Sequence, residues 1–303
     1  MVLDVMMPFY GRRDKFEEAV LSVLAQTSTS WQLTVVDDMY PDTEPGNWFR
    51  GIDDPRLRFV RNERNLGVSG NFRRCLELAT ADHLVIMGCD DIMLPGFVAH
   101  AHFLLNQFPA VAVVQPGVEA IDDRSNLVRP LADRMKTLYR PRGRGARVLS
   151  GERLATSLSR ADWAYFPSLI WNRALIQEVG FRADLEVALD LAALLELTAR
   201  GHELVLDDSV VFRYRRHPAS VSSAKAVNGS RFIEEREVLW RAASQFRDLG
   251  WYRAARTARR ALSSRLNALT MLPKSLRRDA PSERQILIRH VLGMPFSAEA
   301  GSA

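Results

Sequence analysis

A chain of 303 residues with 47% hydrophobic and 25% charged residues has the composition of an ordinary folded protein, large enough for one domain with an appendage or for two smaller domains. Its two cysteines, Cys75 and Cys89, exclude a disulfide framework, and no Cys/His cluster has zinc spacing. The net charge of +5 is unevenly spread: from residue 231 onward there are 14 Lys and Arg against 7 Asp and Glu, while the preceding part is slightly negative, so a basic tail follows a near-neutral body and nothing marks a nucleic-acid binder.

The first apolar run, Leu3 to Met7, carries Asp4 and no basic leader, so it reads as a strand rather than a secretory signal. Asp14-Lys15-Phe16-Glu17 has the form of a capping box, and Phe16, Ala19, Val20, Val23 and Leu24 follow at helical spacing. Trp31 to Val36 is a second apolar strand, ending in Asp37-Asp38. A turn-rich segment from Met39 to Asp54, with Pro41, Pro45 and Gly46, leads to a short strand at Leu57 to Val60. The polar loop Arg61 to Asn71 precedes an amphipathic helix marked by Phe72, Cys75, Leu76 and Ala79, on whose apolar face Cys75 reads as a core thiol.

The next strand, beginning at Leu84, ends in Gly88-Cys89-Asp90-Asp91. A buried strand cannot keep two ionised carboxylates at its end without compensation, and a divalent cation is the natural compensator. Two apolar strands ending in acidic pairs describe one pocket, because ligands of open α/β sheets gather outside the carboxyl ends of the strands. A helix over Phe97 to Phe108 and a strand at Val111 to Val114 continue the alternation, which predicts an α/β fold with a three-layer, mainly parallel sheet.

From Asp122 to Arg147 the pattern dissolves into charged, Gly- and Pro-containing sequence, read as an irregular surface excursion. Helices are expected near Gly151 to Ser159, Arg173 to Val179 and Val187 to Ala199, with strands near Glu203 to Leu206 and Val210 to Tyr214 making the sheet mixed. Beyond Val227 the chain reads as all-helical: Phe232 to Leu249, Trp251 to Leu269 and Glu283 to Leu292. Arg253, Arg256, Arg259, Arg260 and Arg265 form either a solvated helix face or a contact for anionic lipid. No segment approaches the roughly 20 apolar residues that span a bilayer, so the chain is expected in the cytoplasm, peripheral to the membrane's inner face if the tail meets lipid.

Taken together, the strand with Pro8 and Tyr10, Val35-Val36-Asp37-Asp38, Asn62-Glu63-Arg64-Asn65-Leu66-Gly67 with Asn71, Cys89-Asp90-Asp91, Leu189-Asp190, and Tyr214-Arg215-Arg216-His217 resemble the family-2 glycosyltransferases of the GT-A fold. The resemblance covers about residues 2 to 223 in order, implying a GT-A (Rossmann-like) domain over 1–225 and a helical extension over 226–303. It implies transfer of a sugar, with inversion, from a nucleotide diphosphate donor to a glycan or lipid-linked acceptor, with Mg²⁺ or Mn²⁺. By the same resemblance Asp91 is the metal ligand with Asp90 beside the donor ribose or a metal-bound water. Where many relatives have Asp-x-Asp this chain has Cys89-Asp90-Asp91, which leaves open which carboxylate meets the metal. Asp37, Asp38, Pro8, Tyr10, Arg64 and Asn65 fall on the nucleotide side, and His217 falls near the diphosphate as a metal ligand or phosphate contact.

A general base must then take the acceptor's proton. Asp190 interrupts the apolar series Val187, Ala188, Leu189, Leu191, Ala192, Leu194 and Leu195, where a carboxylate is costly unless it faces a polar cavity; Glu186 is its nearest competitor. The rival readings are a nucleotidyltransferase, disfavoured because no early Gly-rich phosphate loop with a lysine is present, and a sugar-nucleotide-binding protein without turnover. A dehydrogenase of the Rossmann type is disfavoured because the first strand runs into Pro8-Phe9-Tyr10-Gly11 rather than Gly-x-Gly-x-x-Gly.

Overall fold

A computed structural model describes residues 1–216, 225, 228–276 and 281–294. In chain order the first half comprises β1 (Leu3–Phe9), α1 (Arg13–Leu24), β2 (Trp31–Asp37), α2 (Glu44–Arg50), β3 (Leu57–Arg61), α3 (Gly67–Leu78), β4 (His83–Ile86), β5 (Ile92–Met93), α4 (Phe97–Gln107) and β6 (Val113–Ile121). There follow β7 (Leu127–Val128), α5 (Leu131–Tyr139), β8 (Arg147–Leu149), α6 (Gly151–Arg160), a 3-10 turn at Phe166–Ser168, β9 (Ile170–Asn172), α7 (Arg173–Val179), α8 (Leu189–Ala199) and β10 (Leu204–Arg215). The remaining helices are α9 (Ser230–Asp248), α10 (Tyr252–Arg260), α11 (Leu262–Leu276) and α12 (Pro281–Leu292).

One sheet has the order β3-β2-β1-β4-β9-β6-β10-β5, with β7 beside β6 and β8 beside β10. β3, β2, β1 and β4 are parallel, and β6 is parallel to β10. β9 lies antiparallel between β4 and β6, and β5 and β8 are antiparallel to β10. Alternation along β1 sends Val5, Met7 and Phe9 to a core shared with Phe16, Val20, Phe97 and Leu104 of α1 and α4. Met6, with Val36, Leu84 and Ile86, faces Cys75, Leu76, Leu154 and Leu194 of α3, α6 and α8. The result is the expected three-layer, mainly parallel α/β architecture. Val238, Leu239 and Phe246 of α9 and Ala254 and Ala258 of α10 join that second core.

Several local expectations are corrected. The capping box does not form: α1 begins after Arg12 without a side-chain cap, and Asp14 and Glu17 instead bind Arg12 at 2.6 Å and Arg13 at 2.6 Å. The 39–54 segment contains α2, whose Pro45 falls in the first turn where its missing N–H costs nothing. Gly46 is required there, since a Cβ would meet the Phe59 ring at 2.8 Å. The 122–147 excursion is ordered as β7, α5 and β8. The two late strands are one, β10, bulged around Asp207 to Ser209 where its register against β6 shifts. The bulge carbonyls of Asp208 and Ser209 come so close to β6 that a Cβ on Gly117 would sit 2.6 Å from them. The arginine-rich helix is broken at Ala261, which adopts φ 46° and separates α10 from α11.

Candidate active site

Because β2, β1 and β4 are adjacent and parallel, their carboxyl ends bring Asp37-Asp38, Pro8 to Tyr10 and Gly88 to Asp91 to one rim. β2 and β4 lie two strand spacings apart, about 10 Å. Tyr10 lies between them: the Asp38 N–H donates to the Phe9 carbonyl at 3.0 Å, and the Tyr10 N–H faces the Cys89 thiol. The exposed Tyr10 ring packs edge-on against Tyr40 at 5.2 Å.

Asp37 and Asp38, adjacent in sequence, have different surroundings. Asp37 uses both oxygens internally, accepting from the Tyr40 N–H at 2.8 Å and from Arg61 Nη1 at 2.7 Å. Burial nevertheless pushes its carboxyl above the usual range, against the pull of Tyr40 and Arg61. Asp38 Oδ1 accepts from Asn62 Nδ2 and from the Leu66 N–H, each at 2.8 Å. Asn65 Nδ2 donates to the Asp38 carbonyl, and Asn71 bridges Asn62 to the Val36 carbonyl. This network fixes the loop that carries Arg64, which is exposed to solvent.

Asp91 is buried as deeply as Asp37 but is less fully bonded. It is 1% exposed, its Oδ1 accepts from the Arg215 N–H at 2.8 Å, and its Oδ2 is buried with no hydrogen-bond partner among the described residues. Burial, reinforced by the neighbouring Asp90 charge, raises its pKa well above the normal carboxylate range. Gly88 cradles the pair, since a Cβ there would lie 2.5 Å from Asp91 Oδ2 and 3.2 Å from Asp90 Oδ1. Arg215, its side chain fully buried, anchors the turn by donating to the Asp90 carbonyl at 2.6 Å, the Asp122 carbonyl at 2.8 Å, Ser125 Oγ at 3.0 Å and Glu18 at 2.8 Å.

A polar wall runs from this turn to Asp190. Arg216 faces Asp91 electrostatically and binds Asp133 of α5 at 2.7 and 3.0 Å. Tyr165 Oη donates to Asp133 at 2.7 Å and its ring packs against Tyr214. Lys136, one turn along α5, lies over the Tyr165 ring, donates to the Ala164 carbonyl and pairs with Asp162 at 3.8 Å. Asp162 and Asp190 both act on Lys136, whose pKa burial lowers.

Asp190 sits in the first turn of α8, 8% exposed, with Oδ1 accepting from the Leu191 N–H at 2.8 Å. Burial first, and the Asp162 charge second, push its pKa up to about 7, with Lys136 pulling the other way. The competitor Glu186 is exposed and paired with Lys225 at 2.6 Å. Glu234 of α9 accepts from the N–H groups of Glu186, Val187 and Ala188, holding the approach to α8.

Pro8, Tyr10, Asp37, Asp38, Asn65, Asp90 and Asp91 thus meet at one rim, and the wall of β10 and α5 connects it to Asp190. Arg64 lies outward on the same loop, and His217 falls outside the described residues. Sequence reasoning missed Asp133, Lys136, Asp162 and Tyr165. Their segment carries no periodic signal, and the nearest cue was Asp162 standing alone between a helix and an apolar run.

A model of glycosyl transferase family 2 matches residues 4–157, which hold β1 through most of α6 and both acidic pairs. The chain belongs to glycosyl transferase family 2. Its relatives include the putative colanic acid biosynthesis glycosyl transferase WcaA of Escherichia coli K12, 26% identical over 34% of this chain and 39% of that protein. Another is the E. coli UDP-Glc:alpha-D-GlcNAc-diphosphoundecaprenol beta-1,3-glucosyltransferase WfgD, 27% identical over 31% of this chain. The chain spans well under half the length of these relatives, 39% of the first and 36% of the second. In fold it resembles S. aureus TarS in complex with UDP-GlcNAc, with a TM-score of 0.62 at 14% identity over 98% of this chain and 93% of that one. It also resembles the mannosyltransferase PcManGT of Pyrobaculum calidifontis in complex with GDP-Man and Mn²⁺, TM-score 0.59 at 18% identity over 96% of this chain and 86% of that one. This family 2 chain therefore has the GT-A fold, with helices α9 to α12 following its sheet.

Proposed function

We propose that residues 1–225 form a glycosyltransferase unit that moves a sugar, with inversion, from a nucleoside diphosphate donor to the hydroxyl of a glycan or lipid-linked acceptor, and that 226–303 extend it. The observation that carries this reading is the buried Asp91 carboxylate, one oxygen unpartnered, at the rim within the family match. Burial alone favours the neutral acid there, and a bound cation would favour the charged form. Mg²⁺ or Mn²⁺ takes one or two carboxylates and completes its shell with phosphate oxygens and water. That mode suits a rim where, among the described residues, no three His, Cys, Asp or Glu side chains converge. Asp91 would hold the cation with Asp90 beside it, and the bound cation would supply the positive charge that a departing diphosphate needs. The relatives whose structures contain UDP-GlcNAc, or GDP-Man with Mn²⁺, support a nucleotide-sugar donor and a divalent cation.

The remaining roles belong to the chain's own groups. Pro8, Tyr10 and Asp38 line the nucleoside side, Asp37 and Asn65 hold that side in shape, and Arg64 approaches the phosphates. The acceptor oxygen forms its bond to the anomeric carbon from the face opposite the diphosphate as the bond to the phosphate oxygen breaks, so the sugar inverts. Asp190 removes the acceptor proton. A base whose pKa lies near 7 is matched to that task, and Lys136 favours its ionised form. The relative named for a diphosphoundecaprenol acceptor supports a lipid-linked substrate.

The test is a screen of nucleotide sugars with Mg²⁺ or Mn²⁺ for the nucleotide product. Release of nucleoside diphosphate with sugar appearing on an acceptor is the expected result. Pyrophosphate release from a nucleoside triphosphate would make the chain a nucleotidyltransferase, and binding without release would make it a non-catalytic sugar-nucleotide binder.

A further inference from the structure

Near the Lys136 and Asp162 part of the polar wall, where the ends of α5 and α6 meet α10 and α11, lies a groove of about 760 Å³. Its charged lining is lopsided: Arg160, Arg253, Arg256 and Arg260 face it with one acid, Glu152. Glu152 is already committed, accepting from the N–H groups of Arg253 and Ala254 at 2.7 and 3.3 Å and so capping α10. None of the four arginines forms an ion pair among the described residues. Next to this cationic face, Leu262, Leu266 and Leu269 occupy positions i, i+4 and i+7 of α11 at 57%, 57% and 48% exposure. One helical stripe of α11 therefore offers three leucines to solvent, and Tyr252 stands out beside them at 66%. No helix among the described residues is long and apolar enough to cross a membrane.

We propose that this α10–α11 face docks the chain on an anionic phospholipid surface, with the arginines meeting lipid phosphates and the leucine stripe entering the headgroup–acyl boundary. Arginines flanking an exposed apolar stripe have the layout of an interfacial helix that lies on a membrane. Two copies of this face cannot pair with each other without opposing their arginine clusters. A nucleic acid has no use for three aligned leucines. The face also has a place relative to the rim: Tyr139 in the groove is one turn beyond Lys136 on α5, and Arg160 lies two residues before Asp162. Resting on the sugar-transfer reading, docking here brings the Asp190 end of the site to the bilayer, where a lipid-linked acceptor presents its head group.

The experiment is co-sedimentation of the full chain, without donor, on vesicles of phosphatidylcholine alone or mixed with phosphatidylglycerol. Binding to the anionic vesicles alone, weakening with salt, is expected. Each arginine facing such a surface contributes roughly fivefold to partitioning, so Arg253→Glu/Arg256→Glu/Arg260→Glu is expected to lose more than about a hundredfold. Leu262→Ser/Leu266→Ser is expected to bind more weakly with the same salt dependence. All these residues are exposed, and unchanged thermal unfolding shows that the variants are folded. Absence of wild-type binding, equal binding by the charge-reversed variant, or binding to a short RNA duplex in place of vesicles would each overturn the proposal. Because the assay needs no turnover, its outcome is independent of the sugar-transfer test.

Discussion

Asp190, the base of the proposed reaction, is where stability and that chemistry oppose each other. Its folded pKa of about 7 lies above that of an unfolded aspartate, so folding takes up a proton in between. The stability linked to this group is fully present below the unfolded value and is lost as pH rises through about 7. In the proposed reaction the ionised form, which would take the acceptor's proton, is therefore the form that folding disfavours. In wild type, kcat/KM is expected to climb with pH through about 7 in a profile of the free enzyme. Asp190→Asn is expected to lower kcat/KM by about 10² to 10⁴-fold while raising stability at pH 8 by on the order of 1 kcal/mol. An Asp190→Asn variant with wild-type rate, or one less stable than wild type at pH 8, contradicts this role. Asp190 was legible because a carboxylate breaks an apolar helical series. Lys136, Asp162 and Asp133 were not, because each acquires meaning only from partners far along the chain: Asp133 from Arg216, and Lys136 from Asp162 and Asp190.

At the scale of elements, the strands that carry the acids were readable because β1, β2 and β4 are apolar runs ending in polar residues. α2 was hidden by Pro45 and Gly46, residues that read as a turn but serve a first helical turn and a close aromatic contact. α5 was hidden because it is held by polar contacts to Arg216, Tyr165 and Ala164 rather than by an apolar stripe. Arg215 shows how elements distant in sequence are tied at the site: it joins the end of β10 to the Asp90-Asp91 turn, to α1 through Glu18 and to the 122–125 turn. Arg215→Met removes four side-chain bonds and leaves Glu18 with one cation fewer. A loss of about 3 kcal/mol or more is expected in urea unfolding, together with weakened donor binding as the Asp90-Asp91 turn loosens. A loss below about 1 kcal/mol with donor affinity unchanged contradicts the tie.

Across the whole molecule, the candidate site is assembled from the ends of β1, β2, β4 and β10 and from the first turns of α5 and α8. Helices α9 and α10 close the core behind α8 and α6, and Glu234 of α9 fixes the approach to Asp190. The order of acidic pairs along the chain carried the family resemblance and the architecture. The coupling of the two ends of the site could not be read there, because β10 and α5 build it only after folding. The central claim is that Asp91 holds a cation on which donor binding depends, and calorimetric titration of wild type and Asp91→Asn with nucleoside diphosphates tests it, with Mg²⁺ or Mn²⁺ and with a chelator. The cation is expected to raise wild-type affinity by about tenfold or more and to leave Asp91→Asn unaffected at unchanged fold. Nucleoside diphosphate binding of equal strength with cation and with chelator in wild type would contradict the account.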